Sequence, residues 1–294
     1  MSSFFTLHEA LSHPAGSCNE DAFGYALSGD TLDIWIIDGA TSVADQEYLG
    51  LDISDPAWFA QSLSQAFQTH TAAHKAVPDI IRQNLAAVTA QFRQKTQNLA
   101  VPVYAQPLAS LLWIRLLPVI QSGQRCVRAH LWSMGDSRVV IESAEGAVIT
   151  FPDIIRGDVT SPQNLPDPAG IAANYGRSRT GVLLSHIERI RTRRVQQHSL
   201  PEIAALGFNP DSVLHARYHD ILLPCGFNVL AMSDGFYRLV DEYALYDDNS
   251  LIGQASTKGL PGLYDTLRTH EQTQGHAHAI KKCDDATALL FRIG

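Results

Sequence analysis

The chain has 294 residues, enough for one large domain or two smaller ones. Thirty acidic residues against 22 basic ones give a formal charge of -8 at pH 7, which argues against a surface built to hold nucleic acid or an anionic membrane. With 45% hydrophobic and 18% charged residues, the chain can fill a core and lacks the composition of a disordered protein.

The N-terminus, Met1 to Glu9, has no basic region followed by a long apolar run, so no secretory signal is predicted and a soluble cytoplasmic protein is expected. Thr31 to Ile37 is a β-rich apolar run between Gly29-Asp30 and Asp38-Gly39. It predicts a buried strand with Asp38 at its end. Pro56 to Thr71 carries apolar residues at 59, 63, 66 and 67, and Ile80 to Leu99 carries them at 80, 81, 85, 88 and 92. Both spacings predict helices, with Asp55 and Asp79 as expected caps.

From Leu108 the pattern turns to strands: Leu108–Leu117, Cys126–Ser133, Arg138–Ser143 and Ala147–Thr150, separated by turn residues, read as an antiparallel meander. The greasy stretch Leu108 to Ile120 is broken by Ser110, Arg115 and Pro118 and is too short to span a bilayer. A Pro- and Gly-rich loop follows over residues 151–181. Leu183 to Gln197 then reads as helix, Val213–Leu223 and Asn228–Ser233 as strands, Leu260 to Gln272 as helix and Thr287–Ile293 as a closing strand. Cys18, Cys126, Cys225 and Cys283 are far apart with no CxxC pair, the pattern of reduced, independent thiols. No repeat and no separating linker is present, so one compact unit is expected.

Acidic residues recur at the strand boundaries: Asn19-Glu20-Asp21, Asp38-Gly39, Ser233-Asp234-Gly235 and Asp284-Asp285. A carboxylate at a strand end stands on a rigid support, and several from distant segments can converge on a hard cation that needs oxygen ligands. Each Asp-Gly pair alone is also an ordinary turn signal.

Five stretches carry a resemblance: NEDAF at 19–23, WIIDGATS at 35–42, SMGDSRVVI at 133–141, AMSDGFYRLVD at 231–241 and CDDATALLFRI at 283–293. In this order they resemble the metal-dependent protein phosphatase family, the type 2C serine/threonine phosphatases, in a divergent, bacterial-type form. The resemblance implies an α+β fold, a four-layer α-β-β-α sandwich of two antiparallel sheets flanked by helical pairs. It implies a single phosphatase-like domain over residues 1–294, with a variable flap at about 151–211. It also implies two divalent cations, Mn²⁺ or Mg²⁺, and hydrolysis of phosphoserine or phosphothreonine in protein substrates by a metal-activated water, without a covalent phosphoenzyme. Asp38 resembles the bridging carboxylate, the Gly39 carbonyl a ligand of one ion, and Asp234 and Asp284 the ligands of the other. Glu20 and Asp21 resemble the pair that holds metal-bound waters. A signalling role goes with this reading.

The departures are specific. Gly16 stands where the family often carries an Arg that grips the substrate phosphate, and Ala40 where many members carry a His proposed as the leaving-group acid. Arg238 stands at a position commonly occupied by an Asp that binds a third ion, which argues against a third site involving Asp136. Arg177, Arg179, Arg189, Arg191, Arg193 and Arg194 concentrate positive charge in the flap region. Arg177, Arg179 and Arg191 are the expected substrate contacts, against the alternative of a solvated helix face. His270, His276 and His278 lack the spacing of a zinc site and read as polar loop residues. A pseudophosphatase acting as an interaction module and a small-molecule phosphohydrolase remain as alternative functions.

Overall fold

The computed structural model describes residues 4–152, 178, 180, 182, 184–200, 202–203, 205–273 and 282–294. Two five-stranded sheets, antiparallel throughout, organise them. Sheet one runs in the order β1 (Phe5–His13), β10 (Ala286–Ile293), β9 (Phe227–Met232), β6 (Arg138–Glu142) and β7 (Val148–Phe151). Sheet two runs β2 (Asp21–Ser28), β3 (Thr31–Gly39), β4 (Ala109–Gln121), β5 (Gln124–Met134) and β8 (Arg217–Pro224). The helices are α1 (Asp55–His70), α2 (Val77–Lys95), α3 (Ile187–Ser199), α4 (Asp234–Asp241) and α5 (Asp248–Thr273).

The period of two along each strand sorts the apolar residues into layers. On β3, Ile34 and Ile36 face sheet one and meet Val229, Ala231, Leu289 and Phe291 between the sheets. Trp35 and Ile37 face the other way and pack on Phe59, Leu63 and Phe67 of α1 and on Ile81, Leu85 and Phe92 of α2. The outer face of sheet one, through Leu230, Met232, Ala288 and Leu290, packs on Phe236 and Leu239 of α4 and on Leu251, Ile252, Leu263 and Leu267 of α5. Central strands buried on both faces therefore read as unbroken apolar runs. The result is the expected four-layer α-β-β-α sandwich. No helix among the described residues is long and apolar enough to cross a membrane.

Several local expectations need correction. The strands from residue 109 onward do not form one meander. β4 and β5 form a hairpin in sheet two, whereas β6 and β7 form one in sheet one. Gly135-Asp136-Ser137 is thus a crossing between sheets rather than a hairpin turn. Gly135 has φ 103°, a left-handed conformation that favours glycine, and a Cβ there would collide with Ser110. Ser54, and not Asp55, caps α1: its Oγ accepts from Ala57 N at 3.2 Å. The Asp55 carboxylate, within the helix, instead accepts from Tyr48 N at 2.8 Å and Leu49 N at 3.1 Å. The residue before α2 is Ala76, which makes no side-chain cap, and Asp79 sits inside the first turn, where a negative charge favours the helix dipole. The segment expected as a strand from Val213 begins as a 3₁₀ turn over Pro210–His215, with β8 starting at Arg217.

Candidate metal centre

All the acidic motifs reach the same end of the sandwich, where β3, β5 and β9 end and β2, β4, β6 and β10 begin. Asp38 is the last residue but one of β3, on the face of Ile34 and Ile36, so its side chain points toward sheet one. Asp234 starts α4 immediately beyond β9 of sheet one. Asp136 lies in the crossing between β5 and β6. Carboxylate oxygens of Asp38, Asp136 and Asp234 all lie within 4.8 Å of one another.

The backbone around this trio is tied down. Gly39 N donates to Glu20 O at 3.0 Å and Ala40 N to Leu108 O at 2.8 Å, holding the end of β3 between β2 and β4. Asp285 accepts from Ala15 N at 2.7 Å and Glu20 N at 2.6 Å, which clamps the first acidic motif to the last one. Thr287 N donates to Ser233 Oγ at 3.0 Å, fixing the turn that presents Asp234. Gly235 permits this packing, because a Cβ there would overlap the Asp285 carbonyl oxygen. Ser110 and Ser137 hydroxyls pair at 2.8 Å beneath Asp136. Ser54 Oγ donates to Glu20 Oε1 at 2.8 Å, so the α1 cap also orients the acidic side chain of Glu20.

The electrostatics are those of concentrated negative charge. Burial first, then the charges of Asp234, Asp21 and Asp136, holds Asp38 well above the ordinary carboxylate range. Asp234 is raised in the same way by burial and by Asp136 and Asp284. Asp21 is pushed up to about 7 by burial, against hydrogen bonds from Thr287 and Ser233 that favour its charged form. Its Oδ2 is buried without a hydrogen-bond partner among the described residues. Crowded carboxylates, an orphaned buried oxygen and an all-oxygen donor set fit hard divalent cations such as Mn²⁺ or Mg²⁺.

These shifts predict how the metal-free protein responds to pH. A carboxyl whose folded pKa is raised binds its proton more tightly folded than unfolded, so its stabilising contribution is complete below the unfolded value of 3.8 and disappears as pH rises through the folded value, about 7 for Asp21. Protein stripped with EDTA is expected to melt at a lower temperature at pH about 8 than at about 5, and added Mn²⁺ is expected to raise the melting temperature most at the higher pH. Thermal melts at both pH values, with and without Mn²⁺, check this; a metal-free melting temperature that rises between them contradicts it.

Asp284 adds to the negative charge around Asp234 and Asp21 without joining the closest group of oxygens. Its carbonyl accepts from Arg268 Nη2 at 2.7 Å. Arg268 and Arg238 both pair with Glu271, which is 1% exposed, so Arg238 is held in an ion network on the α5 side. The His270 ring lies against that of Tyr243, tilted by 45° with centroids 4.6 Å apart, while His276 and His278 lie outside the described residues. Arg177 and Arg179 also lie outside them. Arg191 is occupied: its Nε donates to Val43 O at 3.0 Å, its Nη2 to Asp45 at 2.9 Å and its Nη1 to Glu188 at 3.1 Å, and its guanidinium lies over the Tyr104 ring. It fastens α3 to the segment that follows the second motif.

No protein-family model and no curated protein matches the chain. Solved structures match it over nearly its whole length. The catalytic domain of the serine/threonine protein phosphatase PstP, in complex with two manganese ions, is 13% identical, covers 99% of this chain and 98% of its own, and superposes with a TM-score of 0.51. RsbX in complex with magnesium is 14% identical over 100% and 98%, with a TM-score of 0.50. PppA of Pseudomonas aeruginosa is 16% identical over 99% of each chain, also at 0.50. At such identities the likeness is one of architecture. With its paired antiparallel sheets and helices on both outer faces, the chain has a type 2C phosphatase-like fold.

Proposed function

We propose that this protein is a Mn²⁺- or Mg²⁺-dependent phosphomonoester hydrolase that acts on phosphoserine and phosphothreonine in proteins. The observation that carries the reading is the trio Asp38, Asp136 and Asp234, with oxygens within 4.8 Å, at the end of a sandwich of this fold. Structures similar to this one hold two manganese ions in PstP and magnesium in RsbX, which supports two divalent ions here. Asp38, the Gly39 carbonyl, Asp234 and Asp284 are the proposed ligands, and Asp136 adds a carboxylate to Asp38 and Asp234. When bound, such ions lower the pKa of water and neutralise charge on a phosphoryl group.

The chain's own residues supply the positioning. Asp21, buried beside Thr287 and Ser233, and Glu20, held by Ser54, are placed to accept hydrogen bonds from water at the centre's edge. Rigid strand ends fix these carboxylates in place before substrate binds, so little reorganisation accompanies the reaction. Ala40 places no proton donor where the resemblance puts the leaving-group acid. We read the whole chain as one phosphatase-like unit, with residues 151–211 as its flap.

Hydrolysis assays test the proposal. The purified protein is expected to cleave an aryl phosphate and a phosphothreonine peptide with Mn²⁺ or Mg²⁺ and to stop with EDTA. The aryl phosphate is expected to turn over faster, since a positioned acid contributes about 10² to 10⁴-fold and an aryl leaving group needs it least. Mn²⁺ binding with no turnover of either substrate identifies a pseudophosphatase. Cleavage of small phosphate esters with none of the peptide identifies a small-molecule phosphohydrolase.

A further inference from the structure

A phosphate monoester dianion approaching this centre meets a ring of carboxylates, and the centre needs a cation of its own to hold the anion. Gly16 supplies none: it is exposed, and a Cβ there would meet no other atom within 4 Å. The structure places a different cation beside the centre. On α3, Ile187, Arg191, Arg194 and His198 are spaced i, i+4, i+7 and i+11, which puts them on one stripe of the helix. Three of them show where the stripe faces. Ile187 packs on Val43, Arg191 donates to Val43 O, and His198 Nε2 lies 3.2 Å from Gln106 O. Arg194, between Arg191 and His198, therefore faces the surface that runs from Val43 to the start of β4, where Ala40 binds Leu108 and Asp38 pairs with Ser110.

Arg194 differs from its neighbours in what it touches. Arg191 spends its guanidinium on three partners, whereas Arg194 is half-buried and makes no hydrogen bond or ion pair with a described residue. The charges of Glu20, Asp136 and Asp38 act on it favourably, opposed by the positive charge of Arg193. Burial and Arg193 lower its pKa to about 10, so it remains a cation at neutral pH. A half-buried guanidinium turned toward a metal-binding carboxylate cluster, yet paired with none of its members, is a donor set kept for an anion.

We infer that Arg194 is the phosphate-gripping residue of this site, donating to the non-bridging oxygens of the substrate phosphoryl group in place of a side chain at position 16. The inference rests on the metal-dependent phosphatase reading and assigns the substrate cation to the flap helix. It gives α3 a functional role: Arg191 anchors the helix and Arg194 reaches the anion. Because Arg194 sits on the flap, movement of α3 would alter phosphate affinity without touching a metal ligand.

The test compares Arg194→Gln with Arg189→Gln, which removes the same charge from an exposed position of the same helix. Binding of inorganic phosphate to the Mn²⁺-loaded protein, Mn²⁺ affinity by calorimetry, and kcat and KM for a phosphothreonine peptide are measured for each. Arg194→Gln is expected to weaken phosphate binding about tenfold or more, to raise KM for the peptide in parallel, and to leave Mn²⁺ affinity unchanged or tighter. Arg194→Lys should recover part of the loss, and Arg189→Gln should change phosphate affinity less than about twofold. Equal losses in both Gln variants would mean a diffuse charge effect and overturn the assignment, as would unaltered phosphate binding in Arg194→Gln. Loss of Mn²⁺ affinity in Arg194→Gln would instead assign Arg194 a structural role and overturn it too. A wild-type protein that binds neither Mn²⁺ nor phosphate overturns the enzymatic reading itself, an outcome distinct from an active wild type with an indifferent Arg194.

Discussion

Asp38→Asn is expected to lose metal-dependent hydrolysis by on the order of a thousandfold, the several kcal/mol that metal-ion stabilisation of a phosphoryl transition state supplies, while keeping its fold. An amide oxygen carries no formal charge, and Asp38 is the member of the trio raised by Asp234, Asp21 and Asp136 together. It therefore lies where the negative charges that attract the cations converge. Removing its charge weakens the attraction for Mn²⁺ and also relieves repulsion among the carboxylates that remain. Two measurements of opposite sign follow. Mn²⁺ affinity by calorimetry should fall, and the melting temperature of the metal-free variant at pH about 8 should exceed that of metal-free wild type. Near-wild-type turnover at saturating Mn²⁺ would remove Asp38 from the centre.

The position of Asp38 was legible because a strand buried on both faces has to end somewhere, and WII followed by Asp-Gly marks the end. The sandwich was legible in the same way, from apolar runs at 108–117 and 287–293 and the helical spacing of residues 59 to 92. Elements with weaker patterns were harder to read. β1, Phe5–His13, is an edge strand whose alternation is diluted by His8, Glu9 and Ser12. The first half of α5 is rich in Asn, Ser, Gly and Gln, and its apolar contacts are few: Leu251, Ile252 and Ala255. Gly259, at φ 78°, breaks that helix, and Leu260 N is capped by Glu9, which is why the pattern that was read starts at Leu260.

The site shows the same limit more sharply. Asp136 lies between two strands that read in sequence as neighbours in one meander, because sequence cannot show that β5 and β6 belong to different sheets and that their crossing passes over Asp38 and Asp234. Arg194 is one of six arginines between residues 177 and 194. Its distinction from Arg191 depends on which neighbours each meets across the interface of α3 with residues 43–45 and 104–106, and that information is tertiary. The role of Asp285, which holds the backbone amides of Ala15 and Glu20, is not visible in the sequence either. Charge and strand ends predict where the chemistry lies, whereas the clamps that align it come from packing.

The largest expected effect on stability lies away from the centre, at Arg115. Asp33, with no exposure, accepts from Trp113 Nε1 at 2.7 Å and from Arg115 Nε at 2.8 Å and Nη2 at 3.0 Å. The same guanidinium donates to Lys75 O at 2.6 Å and Ala72 O at 3.2 Å, so it also fastens the connection between α1 and α2 to sheet two. Arg115→Met leaves the Asp33 charge buried without its counterion, a loss of about 3–5 kcal/mol, large against the total stability of a domain. Burial already raises the Asp33 pKa against the pull of Arg115, and without the arginine it rises further. A raised folded pKa stabilises below the unfolded value and loses that contribution as pH increases through the folded one, so the deficit of Arg115→Met should be smaller at pH about 5 than at about 8. Replacing Asp33 as well, as Asp33→Leu with Arg115→Met, should restore only part of the stability, because Trp113 Nε1 then loses its acceptor. Asp33 and Asp38 are five residues apart on β3, about 16 Å at strand rise, and face opposite layers, so Mn²⁺ affinity of the folded variant should match wild type. Urea denaturation at the two pH values measures the effect; a midpoint unchanged from wild type at pH about 8 would show that this buried pair contributes nothing net to the fold.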